Sequence, residues 1–177
     1  MLSFLGCEYV LSSKKEDILN ANKLLFPGQG QFAQAMDNLE KSGLIDTIKK
    51  AINQGTDFLG ICLGLQILFE NSEEAKGVEG LGILKGEVKK FQIGKTPQIG
   101  WNKIQTTTNN SYLGDDYFYF VNSYYVEPFD KNIISSTCNY EIEFCSSIQK
   151  DNLVAVQFHP EKSSNAGIKF FKNWLEL

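Results

Sequence analysis

The chain has 177 residues, 42% apolar, 12% aromatic and 21% charged, which excludes a disordered or collagen-like polymer and suffices for one sizeable core. No apolar run approaches the roughly 18 residues that a spanning helix needs, so no membrane span is expected. Seventeen basic against 21 acidic residues give a net charge of −4, a poor electrostatic match to nucleic acid.

All 17 of those basic residues are lysine. Without arginine there is no planar bidentate fork, so an anionic substrate would rest on lysine, backbone amides or another subunit. The cysteines Cys7, Cys62, Cys138 and Cys145 form no C-x-x-C pair and stand beside a single histidine, His159, so no metal site is expected. Met1 to Lys15 has neither a positive n-region nor a small-residue cleavage site, and a cytoplasmic protein with reduced thiols is expected.

Cys7 to Leu11 and Lys23 to Phe26 are short apolar runs closed by polar or Pro-Gly punctuation, as buried strands are. From Asp37 to Asn53, Leu44, Ile45, Ile48, Ala51 and Ile52 recur at helical spacing, and Gly55 ends the helix. A further strand over Asp57 to Ile61 runs straight into a helical pattern, Leu63 to Phe69. Beyond Gly86 the period becomes two, in Glu87 to Phe91, Gln98 to Gln105 and a single long run, Tyr117 to Val126. Ile133 to Cys138, Ile142 to Ile148 and Leu153 to Phe158 follow as closely spaced hairpin strands. Ile168, Phe171, Trp174 and Leu175 share one face of a closing helix behind a Ser163/Ser164 cap signal. A single domain over residues 1–177 is expected, with an α/β first half and an antiparallel second half.

The sharpest chemical signal is Gly60-Ile61-Cys62-Leu63-Gly64, a G-x-C-x-G where a buried strand meets a helix. It follows the nucleophile-elbow logic, in which flanking glycines permit a strained turn and the nucleophile heads the helix. Unpaired amides there favour an anionic sulfur, and the Leu63 N–H can face an oxyanion. A buried structural cysteine between packing glycines is the bland alternative. Phe158-His159-Pro160-Glu161 supplies the two groups a cysteine nucleophile lacks, a base and a carboxylate to orient it; a merely hydrogen-bonded histidine is its alternative. Pro27-Gly28-Gln29-Gly30 can bring backbone N–H groups close to a ligand, or serve only as a tight turn. Glu73-Glu74 and Lys89-Lys90 read as solvated surface. The aromatic run Tyr117 to Tyr125 alternates between core and a candidate ligand or partner surface, and Trp101 fits either core or surface.

In this order the segments resemble the class I, triad-type glutamine amidotransferases, nearly end to end. The resemblance is carried by Phe26-Pro27-Gly28-Gln29-Gly30, Gly60-Ile61-Cys62-Leu63-Gly64-Leu65-Gln66, Asn71-Ser72-Glu73-Glu74, Ile99-Gly100-Trp101-Asn102, Tyr119-Phe120-Val121-Asn122-Ser123-Tyr124-Tyr125 and Gln157-Phe158-His159-Pro160-Glu161-Lys162-Ser163. It implies a flavodoxin-like α/β sheet with helices on both faces. By the same resemblance Cys62 is the nucleophile, His159 the general acid/base and Glu161 the orienting carboxylate. Gly30, Gln66, Ser123 and Tyr124 match positions that hold L-glutamine. Oxyanion donors are expected from Leu63 and from the loop that contains Gln29 and Gly30, which needs reorientation in the family. No cofactor is implied.

The S-E-E, G-W-N and F-V-x-S-Y-Y segments favour the branch that works in histidine biosynthesis with a (β/α)8 cyclase subunit, as a heterodimer. Trp101, Asn102 and Lys162 match its partner face. Gln29 and Asn122 stand where that branch usually has valine and histidine. Met1 lies where the family's first helix should be ending, so its first strand is expected to be missing here, with an upstream start adding roughly 20 residues. A related amidotransferase, such as one serving acetamidino-sugar synthesis, and a catalytically silent binding subunit are the competing readings.

Overall fold

A computed structural model describes residues 1–176. The strands are β1 (Lys23–Phe26), β2 (Asp57–Ile61), β3 (Asn71–Ser72), β4 (Gly86–Lys90), β5 (Gln98–Thr106), β6 (Tyr117–Asn122), β7 (Tyr124–Pro128), β8 (Ile134–Tyr140), β9 (Ile142–Lys150) and β10 (Leu153–Val156). The helices are α1 (Lys15–Leu19), α2 (Phe32–Lys41), α3 (Ile45–Asn53), α4 (Leu63–Gln66) and α5 (Ser164–Glu176). None is long and apolar enough to cross a membrane.

The strands form one mixed sheet in the order β1-β2-β10-β9-β7-β4-β3. β2 runs parallel to both β1 and β10, while β10, β9 and β8 form antiparallel hairpins. A second branch leaves β9 through β8 and β5 to β6. It curls back far enough for the Tyr119 carbonyl to accept from the His159 N–H at 2.8 Å.

Alternation along the central strands sorts the core into two layers. Phe58 of β2 with Leu153 and Ala155 of β10 faces the cluster built by α1, α2 and α3, around Ile18, Phe32, Met36, Leu39 and Ile48. Leu59 and Ile61 with Val154 and Val156 face the other side, against Phe170, Phe171 and Trp174 of α5. Helices therefore cover both faces of the sheet, as the resemblance implied, and β2 and β10 read as continuous apolar runs because both of their faces are buried.

Three expectations need correcting. Cys7 to Leu11 is not a strand; Val10 and Leu11 are exposed at 80% and 93%. A short β-prone run does not hold an extended form without a ladder beside it, and β1 pairs only with β2 among the described residues. The helix expected over Asp37 to Asn53 is two helices. The Gly43 N–H bonds to Glu40 and the Leu44 N–H reaches back to Leu39, a Schellman closure with Gly43 at φ 66°. The run Tyr117 to Val126 breaks at Ser123, because β6 pairs with β5 whereas β7 pairs with β4 and β9.

Candidate active site

Cys62 follows β2 and precedes α4, at φ 54° and ψ −103°. That is a sparsely populated backbone region, costly for a residue with a side chain and tolerated where the surroundings over-determine it. Here they do. The Cys62 N–H donates to the Val156 carbonyl at 2.7 Å, and its carbonyl accepts from Leu65 at 3.0 Å and Gln66 at 3.2 Å. A Cβ on Gly60 would stand 2.5 Å from the Gly64 carbonyl oxygen, and one on Gly64 would meet the Phe26 carbonyl. The flanking glycines thus let the turn close, and the strained elbow expected from the sequence is present.

His159 lies just beyond β10, at 2% exposure, with Cys62 near enough to act on its titration. Its Nδ1 is 2.7 Å from Oε1 of Glu161, whose side chain is 35% exposed. Burial disfavours the charged imidazole, but the bonds to Cys62 and Glu161 and their charges outweigh it and raise His159 to about 9. Burial likewise works against the Glu161 carboxylate, and the bond to His159 with the charges of His159 and Lys162 holds it below the usual range. The three side chains form a thiol–imidazole–carboxylate line, which suits a nucleophile whose base is oriented from behind. The buried thiols have no such setting: burial pushes Cys138 and Cys145 up to about 12.

The Pro27 to Gly30 loop packs directly on the elbow; a Cβ on Gly28 would lie 2.5 Å from that of Leu63. Gly30 has φ 130° and is exposed with Gln29. A cleft of about 420 Å³ lies between this loop, α2 and Leu63, and Cys62, His159 and Glu161 are not among its lining residues. Gln66 is buried on α4. Ser123 marks the β6/β7 break, and its carbonyl accepts from Phe91; the Tyr124 carbonyl accepts from Gln66 Nε2 at 3.4 Å and Asn122 Nδ2 at 3.0 Å. Gln66 and Tyr124 meet beside the elbow, from α4 and β7.

Trp101 and Asn102 lie on β5, where Trp101 pairs across the ladder with Tyr119 at a ring-centroid distance of 6.0 Å. Ile99, Trp101 and Tyr117 are exposed together on this hairpin, and Lys162 is exposed beside the triad. Because the Tyr119 carbonyl holds the His159 backbone N–H, the aromatic surface is one hydrogen bond away from the His159 main chain.

Several supporting residues act otherwise than the sequence suggested. Ser163 does not cap α5 with its hydroxyl, which instead donates to the His159 carbonyl at 2.6 Å and accepts from the Tyr119 N–H at 3.0 Å. Glu73 and Lys90 are exposed, as the solvated-surface reading has it, while Glu74 and Lys89 are half-buried, and contacts of these pairs also tie segments together. Glu73 accepts from the Lys90 N–H at 2.7 Å, and Lys89 pairs with Glu87 at 2.6 Å. Glu74 accepts from the Phe32 N–H at 3.0 Å, capping α2 just after the loop from outside its own segment. Truncation of a helix cap costs about 0.5–2 kcal/mol, so Glu74→Ala is expected to lower the urea midpoint by a corresponding amount. An unchanged midpoint would show that the cap contributes nothing. Gln157 is the remaining case, a lone polar residue at the end of the apolar run Leu153 to Val156; that interruption is the signal that could have found it.

A family profile described as "Glutamine amidotransferase class-I" matches residues 6–176. The chain is 44% identical over 173 residues to "Imidazole glycerol phosphate synthase subunit HisH" of Methanocaldococcus jannaschii, covering 95% of this chain and 87% of that protein. It is 47% identical over 167 residues to "Imidazole glycerol phosphate synthase hisHF, chloroplastic" of Arabidopsis thaliana, covering 90% of this chain and 28% of that longer protein. A crystal structure of a glutamine amidotransferase superimposes with TM-score 0.79 at 19% identity, over 99% of this chain and 88% of the other, which establishes likeness of fold. With the profile spanning almost its whole length and relatives above 40% identity, the chain belongs to the class I glutamine amidotransferases.

Proposed function

We propose that the chain is the glutaminase subunit of an imidazole glycerol phosphate synthase, hydrolysing L-glutamine and handing the ammonia to a cyclase partner. The observation that carries the chemistry is the strained Cys62 elbow acting on His159, itself held by Glu161 at 2.7 Å. The relatives' names carry the pathway.

In this reading the Cys62 sulfur attacks the side-chain carboxamide carbon of glutamine, and the carbonyl oxygen becomes an oxyanion facing the Leu63 N–H and an N–H of the Gln29/Gly30 loop. The carbon–nitrogen bond then breaks as the His159 imidazolium gives its proton to the departing ammonia, leaving a γ-glutamyl thioester. Water, deprotonated by His159, attacks the thioester and releases glutamate and the thiolate. Glu161 keeps the imidazole aimed throughout, and Gln66, Ser123 and Tyr124 hold the substrate.

Ile99, Trp101 and Tyr117 give the β5/β6 hairpin an exposed apolar face, suited with Lys162 to a (β/α)8 cyclase surface, while Asn102 lies on the other face of β5, opposite Phe118. A partner seated there bears on Tyr119 and, through its carbonyl, on His159. The test is ammonia release by the chain with and without the cyclase and its ligand. One missing oxyanion donor costs about 100- to 1,000-fold, and activation of that order is expected when the partner reorients the Gln29/Gly30 loop. Full activity in the isolated chain would remove the gating, and no glutaminase activity in the assembled pair would remove the function.

A further inference from the structure

The side chain of Gln157 is wholly buried between Cys62 and Gln66. Its backbone N–H is held by the Ser146 carbonyl at 2.8 Å. Its carboxamide has one end 3.4 Å from the Cys62 sulfur and the other 3.1 Å from Gln66 Nε2. The surroundings fix which end is which. Gln66 Nε2 also lies 3.4 Å from the Tyr124 carbonyl, which can only accept. Gln66 therefore presents its NH2 group on that side, the Gln157 atom facing it must be the oxygen, and the Gln157 NH2 is left pointing at sulfur.

A carboxamide N–H donor aimed at sulfur stabilises the thiolate over the thiol, since an anion is the stronger acceptor. The sulfur's proton is then left for His159, whose titration Cys62 influences and behind which stands Glu161. We propose that Gln157 is a catalytic residue that donates to the attacking sulfur and holds it aimed, and that Gln66 is a positioning residue that locks the Gln157 amide in the donating orientation. This rests on the reading of Cys62 as the nucleophile.

The test uses the full chain and iodoacetamide, a small neutral alkylator that needs no glutamine site, with labelling mapped by mass spectrometry. Gln157→Met keeps the length of the side chain and removes the donor. A hydrogen bond to a charged group corresponds to about 10- to 100-fold, so Cys62 alkylation is expected to slow by that factor. With the partner present, kcat should fall similarly while KM stays within about twofold. Gln66→Leu should slow alkylation in the wild-type background and add nothing to Gln157→Met, because its effect passes through the same amide. The buried thiols of Cys138 and Cys145 report the fold within the same sample: they stay unlabelled while the chain is folded. Should Gln157→Met label them, Gln157→Asn, which keeps an amide but withdraws it by one methylene, replaces it with the same expectation. Slowed Cys62 labelling with both buried thiols protected supports the assignment, and an unchanged rate in a folded variant overturns it. Failure of the underlying reading looks different, because a γ-alkylating glutamine analogue would then leave Cys62 unmodified in the wild-type chain.

Discussion

Cys62→Ser is expected to reduce glutamine hydrolysis by about 10,000-fold or more, the scale on which removal of a nucleophile from an acting unit is felt. A hydroxyl in the same place is a far weaker nucleophile than a thiolate, and the imidazole beside it cannot close that gap. The fold has no reason to suffer. The elbow is held by backbone contacts, from the Cys62 N–H to Val156 and from Leu65 and Gln66 to the Cys62 carbonyl, and by close packing at Gly60 and Gly64, none of which the sulfur supplies. The melting temperature and the affinity for the cyclase are expected to match wild type. Ammonia release by the assembled pair is the measurement, and a loss smaller than about tenfold contradicts the role given to the sulfur.

The second large effect belongs to His159. His159→Ala removes the group that protonates ammonia and then deprotonates water, and a loss of about 10,000-fold is expected. Glu161→Gln keeps the shape and a hydrogen-bonding atom at the 2.7 Å contact but removes the charge, so its loss is expected to be smaller than that of His159→Ala. Equal or reversed losses would exchange the two roles. Titration adds a signature that is simple to read because the chain has one histidine. With His159 raised to about 9, its contribution to folding stability is fully present below its ordinary value near 6.5 and is lost as pH rises through about 9. The wild-type chain should therefore lose stability across that window by a step that Glu161→Gln diminishes. Nuclear magnetic resonance of the imidazole should show its midpoint falling in the variant.

Much of this site was legible in the sequence, because strained turns and catalytic groups need particular residue types at fixed spacing. The glycines of G-x-C-x-G are required by backbone approaches at 2.5 Å and below, so the elbow could be read from five residues. His159 and Glu161 lie two apart on a turn that begins at Pro160, close enough for a local contact to be expected. The two buried central strands were equally plain, since β2 and β10 are apolar on both faces. What escaped depends on partners distant in sequence. Cys7 to Leu11 has the composition of a strand, yet a strand exists only with a neighbour, and local composition does not reveal one. Tyr117 to Val126 carries an unbroken alternation, and its division at Ser123 is imposed by pairing with β5 on one side and with β4 and β9 on the other. Glu74 reaches α2 across 42 positions, and Gln157 reaches Cys62 across 95. No spacing rule joins such residues; only the folded chain does.

The most direct measurement is to treat the wild-type protein, with its cyclase partner, with a glutamine analogue that carries an alkylating group at the γ-carbon, and to map the adduct by mass spectrometry. A glutaminase that works through the Cys62, His159 and Glu161 line should take up one equivalent, on Cys62, in step with loss of ammonia release, and glutamine should protect it. Adduct on Cys7, Cys138 or Cys145 in its place, or full inactivation with Cys62 unmodified, would contradict the assignment.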